Sequence, residues 1–461
     1  MTAAPGFTFV DLFAGIGGFH AALTAMGGTC VFASEIDRHA AAVYERNWSM
    51  DPLCDIVDAT TDRMDVPEHD VLAAGFPCQP FSKSGFQRGM DEARGTLFWN
   101  ILRVLEERRP AVVLLENVRN IAGPRHRHEW EVIIASLREL GYQVSSQPAV
   151  FSPHLLPPER GGRPQIRERV FIVATLAGSE AAKIDPLPVV TRGPVDSWDP
   201  QSWSLEQHLP LTAESEVDGR ERYALNGDEV EWINAWDDFV ATLRRDGVRQ
   251  LPGFPVWADH FTPLDHLRIP VGTPDWKKNF LHKNALLYTT HRQAIDEWLS
   301  RWNGLAHFPA SRRKLEWQAK DAPSLWETVM HFRPSGIRAK QPTYTPALVA
   351  ITQTSILGAH KRRLTPREAA RLQGLPEDFT FGEQREALTY KQLGNGVNVA
   401  VAYHVLREQV LRDRDVIAQN AAGLVAAVDA APLNPDVALE KEEVLAELGR
   451  PGARTPVALA G

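Results

Sequence analysis

The stretch AGFPCQPFS, residues 74–82, ends an apolar run on a cysteine, Cys78, set between Pro77 and the pair Gln79 and Pro80. Pro77 fixes its own φ and drives Phe76 out of helical geometry, and Pro80 does the same to Gln79, so the thiol sits in a stiff extended bend. A free thiol of pKa about 8.5 is scarcely ionised at neutral pH, and a nucleophile here needs cationic neighbours. A lone cysteine is ordinarily a small buried hydrophobe; the two prolines and the strand-end position favour a nucleophile. Glu116 ends the next apolar run, LLENV. It is either a salt-bridge partner at a strand tip or a carboxyl that burial turns into a proton donor. Gln165, Arg167 and Arg169 alternate into a further strand and so share one face. That face excludes core and meets an anion, a carbonyl or solvent.

A second group of residues suits a nucleoside. DLFAGIGGF bends the chain and offers backbone N–H groups and a helix N-terminus, unless its glycines merely pack helix on strand. It departs from the dinucleotide pattern GxGxxG: Gly15 and Gly17 fit, but His20 occupies the third place. Glu35 ends the second strand and is placed to accept from both hydroxyls of a ribose. A nucleoside without a pyrophosphate fits this pattern better than NAD does.

The elements that must position these groups are legible. FTFVDLF, TCVFASEID, HDVLAAGF, AVVLLENV and RVFIVATL read as strands, with FHAALTAM and TLFWNILRVLEERR as helices between them. Such alternation predicts a doubly wound, mostly parallel α/β sheet covered on both faces, with the chemistry at neighbouring strand ends. From residue 181 to about 345 the alternation stops, prolines scatter, and ten of the chain's 13 tryptophans occur; a second, smaller, irregular domain with an aromatic core is expected. Alternation returns with RRLTPREAARLQGL, where Thr365, Pro366 and Glu368 form a helix-start signature. Beyond residue 413 an Ala-, Pro- and Glu-rich stretch reads as a poorly ordered tail or a peripheral helix.

Composition narrows the class. The chain has 461 residues, too many for one ordinary core. No apolar run nears the roughly 20 residues that span a bilayer, and no export signal is visible, so a cytoplasmic protein is expected. Cys30, Cys54 and Cys78 form no CxxC pair, which speaks against structural zinc. The net charge of −8 disfavours nucleic acid as a partner, but it hides an uneven distribution. Residues 331–375 hold eight Lys/Arg against one acid, whereas residues 213–250 hold ten acids against five bases.

Taken together, DLFAGIGGF, SEID, GFPCQPFS, RGTLF, ENV, QIRERVFIV, RRLTPREAARLQGLP and QLGNGVNVAVA resemble, in order, the motifs of the bacterial DNA (cytosine-5-)-methyltransferases of restriction–modification systems. The resemblance covers residues 8–178 and 360–408. It implies a Rossmann-like S-adenosylmethionine-dependent catalytic domain over 1–180, a target-recognition domain over 181–380 that includes RRLTPREAARLQG, a return to the catalytic domain over 381–412, and a tail over 413–461.

By the same resemblance Cys78, oriented by Pro77, adds to C6 of a cytosine flipped out of duplex DNA, which makes C5 nucleophilic enough to take a methyl group. Glu116 bonds N3, Asn117 shapes its site, and Arg169, aided by Arg167, holds O2. Phe13 stacks on the adenine of the cofactor, Gly15 and Gly17 shape the loop, Glu35 binds the ribose, Asp58 accepts from the adenine amine, and Ile36, Leu97 and Asn395 complete the pocket. Ile36 departs from the aromatic residue of many relatives. The segment 79–98 resembles a mobile loop that closes over the base, with Gln79, Ser82, Ser84 and Arg94 toward DNA; Arg333, Arg338 and Lys340 are further DNA-contact candidates. No metal is implied. The implied setting is a nucleoid-associated cytoplasmic monomer, with a cognate restriction endonuclease acting independently. A zinc deaminase is excluded by Phe81 at the second cysteine position of PCxxC. A tRNA methyltransferase and a catalytically inactive DNA-binding regulator remain as alternatives, the first disfavoured by the long recognition segment, the second by the presence of Cys78, Glu116 and Arg169 together.

Overall fold

The structure, a computed structural model, describes residues 6–61, 63–77, 96–212, 217, 219–348 and 354–440. The chain divides into two compact units. The first takes the described residues up to Pro210, Pro346 to Leu348, and Pro366 onward; the second takes Leu211 to Thr345 and the described residues up to Thr365.

The first unit opens with β1 (Phe7–Leu12), α1 (Gly18–Ala25), β2 (Gly28–Ser34), α2 (Arg38–Trp48), α3 (Ile56–Thr60), β3 (Val71–Ala74), α4 (Leu97–Arg108) and β4 (Val112–Val118). After α5 (Arg127–Glu139) come β5 (Tyr142–Val144), β6 (Ala149–Phe151), β7 (Gln165–Ile166) and β8 (Arg169–Leu176). The main sheet runs β2-β1-β3-β4-β8-β5, with β6 also paired to β8. β2, β1, β3 and β4 are mutually parallel, and β8 is antiparallel to β4. The chain passes from β1 to β2 on one side and then to β3 on the other, so a crevice opens beyond the carboxyl ends of β1 and β3.

Both faces of this sheet are buried, which is why its strands read as continuous apolar runs. Phe7, Phe9, Val71, Ala73, Val112, Leu114, Phe171 and Val173 enter one core; Val10, Leu12, Leu72, Ala74, Val113, Leu115, Val170 and Ile172 enter the other. The alternation also fixes the polar ends. Glu116 continues the row of Val112 and Leu114, and Arg169 the row of Phe171 and Val173, so both emerge on the same face.

The second unit is a six-stranded sheet backed by helices, a more regular architecture than its scattered prolines predict. Its elements are α6 (Gly227–Arg245), β9 (Val256–Trp257), α7 (Asp275–Thr290), α8 (Arg292–Arg301), β10 (Lys314–Gln318), β11 (Val329–Arg333), β12 (Gly336–Lys340), β13 (Ile356–Leu357) and β14 (Arg362–Arg363). The sheet order is β14-β13-β11-β12-β10-β9. Strands of two to five residues are too short to leave a period-2 signature. The expected aromatic core is there: Trp236, Phe239 and Trp298 have ring centroids 4.8–5.3 Å apart, over Trp317, Met330, Phe332 and Ile337.

The chain then returns to the first unit through α9 (Pro366–Gln373), α10 (Glu386–Asn395), α11 (Val399–Arg412), α12 (Arg414–Asn420), α13 (Ala422–Ala430) and α14 (Asp436–Leu439). Three sequence-based boundaries shift. The RRLTPREAARLQG helix belongs with the first unit, because Ala369, Ala370 and Leu375 join its core. Residues 181–210 stay with that unit as well. Beyond residue 413, read as a poorly ordered tail or a peripheral helix, the chain is helical as far as Leu439 and packed on the first unit: Leu424 and Val428 are fully buried, and Asp436 meets Arg163 at 2.7 Å. Ala421 and Ala427 are core contacts that admit close helix approach.

Candidate active site

A cavity of about 650 Å³ opens in the first unit at the crevice beyond β1, β3 and β4. Phe13, Gly15, Glu35, Ile36, Pro77, Leu97, Glu116, Asn117, Arg169 and Asn395, all anticipated from the sequence, line it together.

The cofactor side is built on β1 and β2. Phe13 turns off the end of β1 with φ 55, and Ala14 N–H bonds back to Ser34 O at 2.9 Å. Glu35 is clamped from both sides: Gly15 N–H donates to Oε2 at 2.8 Å and Asp37 N–H to Oε1 at 2.7 Å. Each oxygen keeps a lone pair for a further donor, which suits the two hydroxyls of a ribose. Ile36 is exposed on the rim.

Gly15 lines the cavity with open space around it, whereas Gly17 answers to packing. Gly17 caps α1 with φ 90, and a Cβ there would lie 2.0 Å from Trp48 Nε1. Gly17 is therefore behind the cavity wall rather than on it. His20, in the place of the third fingerprint glycine, stacks on Trp48 at 4.5 Å and its Nδ1 bonds Tyr44 OH at 2.7 Å. Burial lowers the His20 pKa to about 4, so the ring is neutral.

Asp58 is a correction. It is exposed in α3 and does not line the cavity, whereas Asp55, Ile56 and Val57 do. Asp55 is the N-cap of α3, its Oδ1 accepting from Val57 N–H at 2.9 Å. Asp58 lies one turn further along α3, beyond the residues that reach the cavity. The N-cap pattern, an acid just before an apolar helix start, was the sequence signal for Asp55.

The reacting side stands on β4 and β8. Arg169 pairs with Val118 in register, diagonal to Glu116, and its Nε lies 2.9 Å from Glu116 Oε1. Burial raises the Glu116 pKa, and the nearby charges of Arg169 and Arg167 offset this incompletely. A carboxyl in this state can carry a proton to an acceptor such as a ring nitrogen. Asn117 points to the opposite face and ties the strand ends together, donating Nδ2–H to Phe76 O at 2.8 Å. This bond fixes the segment that leads into Pro77.

Arg167 corrects the expectation of a polar face shared by Gln165, Arg167 and Arg169. The chain leaves β7 at Ile166 and enters β8 at Arg169, and both Gln165 and Arg167 are buried. The Arg167 guanidinium donates to Leu348 O at 3.2 Å, Gly394 O at 2.9 Å and Gly396 O at 2.7 Å, and it does not line the cavity. It staples the Gly394–Gly396 turn, which carries Asn395 to the cavity wall. Burial, reinforced by Arg169, lowers its pKa to about 9, leaving it charged at neutral pH. A buried cation is tolerated here because three backbone carbonyls solvate it.

Leu388 and Lys391 also line the cavity and carried no sequence signal of their own; Gln392 and Val397, of the QLGNGVNVAVA motif, line it too. Cys78, Gln79, Ser82, Ser84 and Arg94 lie outside the described residues. Arg333, Arg338 and Lys340 share one face of the second unit's sheet.

The family model for C-5 cytosine-specific DNA methylase matches residues 7–410. The Type II methyltransferase M.AluI of Cellulosimicrobium cellulans is 50% identical over an alignment of 492 residues, spanning 90% of this chain and 94% of that one. The Type II methyltransferase M.BanI of Aneurinibacillus aneurinilyticus is 32% identical, spanning 87% and 95%. The Type II methyltransferase M.HhaI of Haemophilus parahaemolyticus is 42% identical over 168 residues, 36% of this chain and 49% of that one.

Proposed function

Because the chain belongs to the C-5 cytosine-specific DNA methylase family and is a DNA cytosine-5-methyltransferase, we propose that it modifies a flipped-out cytosine of duplex DNA through a transient Cys78–C6 bond. S-adenosylmethionine supplies an electrophilic methyl group when bound. The residues that line the cavity fit that cofactor: Glu35 would take the ribose hydroxyls, Phe13 and Ile36 would hold the adenine, Asp55 would accept from its amine, and Leu97 and Asn395 would complete the wall.

The protein's own part is to activate the base. Cytosine C5 is a poor nucleophile in an aromatic ring, and it is out of reach in a stacked duplex, so the base leaves the helix at a cost of a few kcal/mol. Cys78 thiolate attacks C6, and the electron pair displaced from the C5–C6 bond is held as an enamine while Glu116 delivers a proton to N3. Arg169 holds O2 and pairs with Glu116, stabilising charge as it forms. Once C5 carries the methyl group, loss of its proton to a base, expulsion of Cys78 and return of the N3 proton to Glu116 restore the neutral aromatic ring, the free thiolate and the acid. Arg167 acts at one remove, by holding the Gly394–Gly396 turn.

The observation that carries this reading is the Glu116–Arg169 pair at one wall of the cavity whose other wall is Glu35. Arg333 and Lys340 supply the DNA-facing charge, and Arg338 lies on the same face. In the cell the mark protects host DNA from a cognate endonuclease, and one subunit suffices for the reaction. The test is DNA containing 5-fluorocytosine, whose C5 cannot lose a proton: with S-adenosylmethionine it should trap a complex stable to denaturation, and Cys78→Ser should not. Absence of an adduct on DNA that the protein methylates would overturn the covalent route.

A further inference from the structure

The sheet of the second unit has one apolar face and one charged face. Strand register sets Glu316 beside Arg338 and Gln318 beside Lys340 across β10 and β12, and His331 beside Arg338 across β11 and β12. Their neighbours Leu315, Trp317, Phe332, Ile337 and Ala339 all enter the core on the other side. The charged face thus gathers Arg333, Arg338 and Lys340 against one carboxylate.

The three cations are not equivalent. Arg338 directs both Nε and Nη2 at Glu316 Oε2, at 2.6 and 2.5 Å, and Glu316 is itself buried. This fixes the plane of the guanidinium, and Nη1 makes no hydrogen bond to any described residue. Arg333 and Lys340 have no carboxylate partner among the described residues. Burial and mutual repulsion, with Arg338 as a shared neighbour, lower the pKa of each. His331 adds no charge. Burial followed by the three cations pushes its pKa down to about 3, and its Nε2 is bonded to Ser355 Oγ at 2.7 Å.

Charge balance separates what each can bind. A phosphate is drawn to an uncompensated cation, so Arg333 and Lys340 suit the DNA backbone. Arg338 is already neutralised, and the Glu316 carboxylate beside it repels a phosphate. It keeps rigid N–H donors for a neutral partner that offers two acceptors side by side. In the major groove guanine does so through O6 and N7; adenine pairs its N7 with an N6 donor.

Resting on the reading of this chain as a DNA methyltransferase, we propose that Arg338 reads a guanine of the target sequence, that Glu316 is its positioning residue, and that Arg333 and Lys340 hold flanking phosphates. The experiment measures binding, so that it stands apart from catalysis. Duplexes bound by the full chain are selected from a random pool, and each guanine of the enriched sequence is replaced in turn by 7-deazaguanine, which lacks the N7 acceptor.

Wild-type affinity should fall about tenfold to a hundredfold at one guanine. Arg338→Ala should lose as much on unmodified DNA and be indifferent to the replacement at that position. Glu316→Gln should keep affinity for random DNA while losing discrimination at the same guanine. Arg333→Ala and Lys340→Ala should weaken selected and random duplexes alike and reduce the salt dependence by about one ion each. The double variant Glu316→Gln/Arg338→Gln removes both charges together and serves if the single change at Arg338 unfolds the unit. The proposal is overturned if no guanine is enriched, if wild-type binding ignores every 7-deazaguanine, or if Arg338 variants lose selected and random DNA equally. A protein that selects guanine yet never methylates would sink the reading of the active site and leave this one standing.

Discussion

Arg167→Lys separates a structural staple from a group that touches the base. Lysine keeps the charge, so the cost of burying a cation is largely common to both proteins. It cannot reproduce the fork. Arg167 reaches three carbonyls, those of Leu348, Gly394 and Gly396, and one ammonium on a shorter head can satisfy about one. Two charged hydrogen bonds at about 1.5 kcal/mol each give an expected loss of about 3 kcal/mol, on the order of a hundredfold in the unfolding equilibrium. Urea unfolding followed by circular dichroism should show a lower midpoint at an unchanged slope. Calorimetry should show weaker S-adenosylmethionine binding, because the Gly394–Gly396 turn forms part of the cavity wall. If the midpoint moves by less than about 0.5 kcal/mol equivalent while the methylation rate collapses, Arg167 contacts the reacting base and the staple argument is wrong.

Asp55→Ala should weaken S-adenosylmethionine binding about tenfold, the worth of one hydrogen bond with its cap, while Asp58→Ala leaves it unchanged; titration calorimetry on both variants decides. Glu116 has a raised pKa in the folded protein, so its contribution to stability is fully present below the ordinary value of 4.5 and is lost as pH rises through the folded value. Because the Cys78 thiolate fraction climbs with pH, the wild-type methylation rate should climb less steeply than that fraction as the carboxyl loses its proton, whereas Glu116→Gln should follow the thiolate alone and lose the stability change; equal pH slopes for the two proteins argue against proton delivery by Glu116. Asp436→Ala removes the carboxylate paired with the almost fully buried Arg163 and leaves it the carbonyls of Gly161, Gly162 and Arg371; it should cost about 3 kcal/mol, read as a lower melting temperature, and no change would mean that those carbonyls alone hold the cation.

Much of the catalytic unit was legible in the sequence because buried parallel strands announce themselves as apolar runs and their ends as the first polar residue after the run. Glu35 and Glu116 were found that way, Arg169 by its alternation into β8, and Phe13 by resemblance; the antiparallel pairing of β4 with β8 that brings Glu116 and Arg169 together was not legible. The departures share one cause, that sequence spacing does not tell which polar residue tertiary contacts will consume. Arg167 and Arg169 alternate alike, yet one turns inward to carbonyls from a glycine turn more than 200 positions away and the other outward to Glu116. Asp55 and Asp58 lie three residues apart, and the start of a five-residue helix decides which one faces the cavity.

The second unit shows the same division. Composition alone gave a basic stretch and an aromatic core. Which cation is compensated depends on strand register, and Glu316 meets Arg338 across a parallel pair that no local pattern specifies. The residue types along the chain determined the chemistry available to this protein, since apolar periodicity and proline or glycine geometry act over a few residues. The tertiary structure alone decided how that chemistry is apportioned, because desolvation and charge pairing are set by whatever is brought within a few ångströms, however distant in sequence.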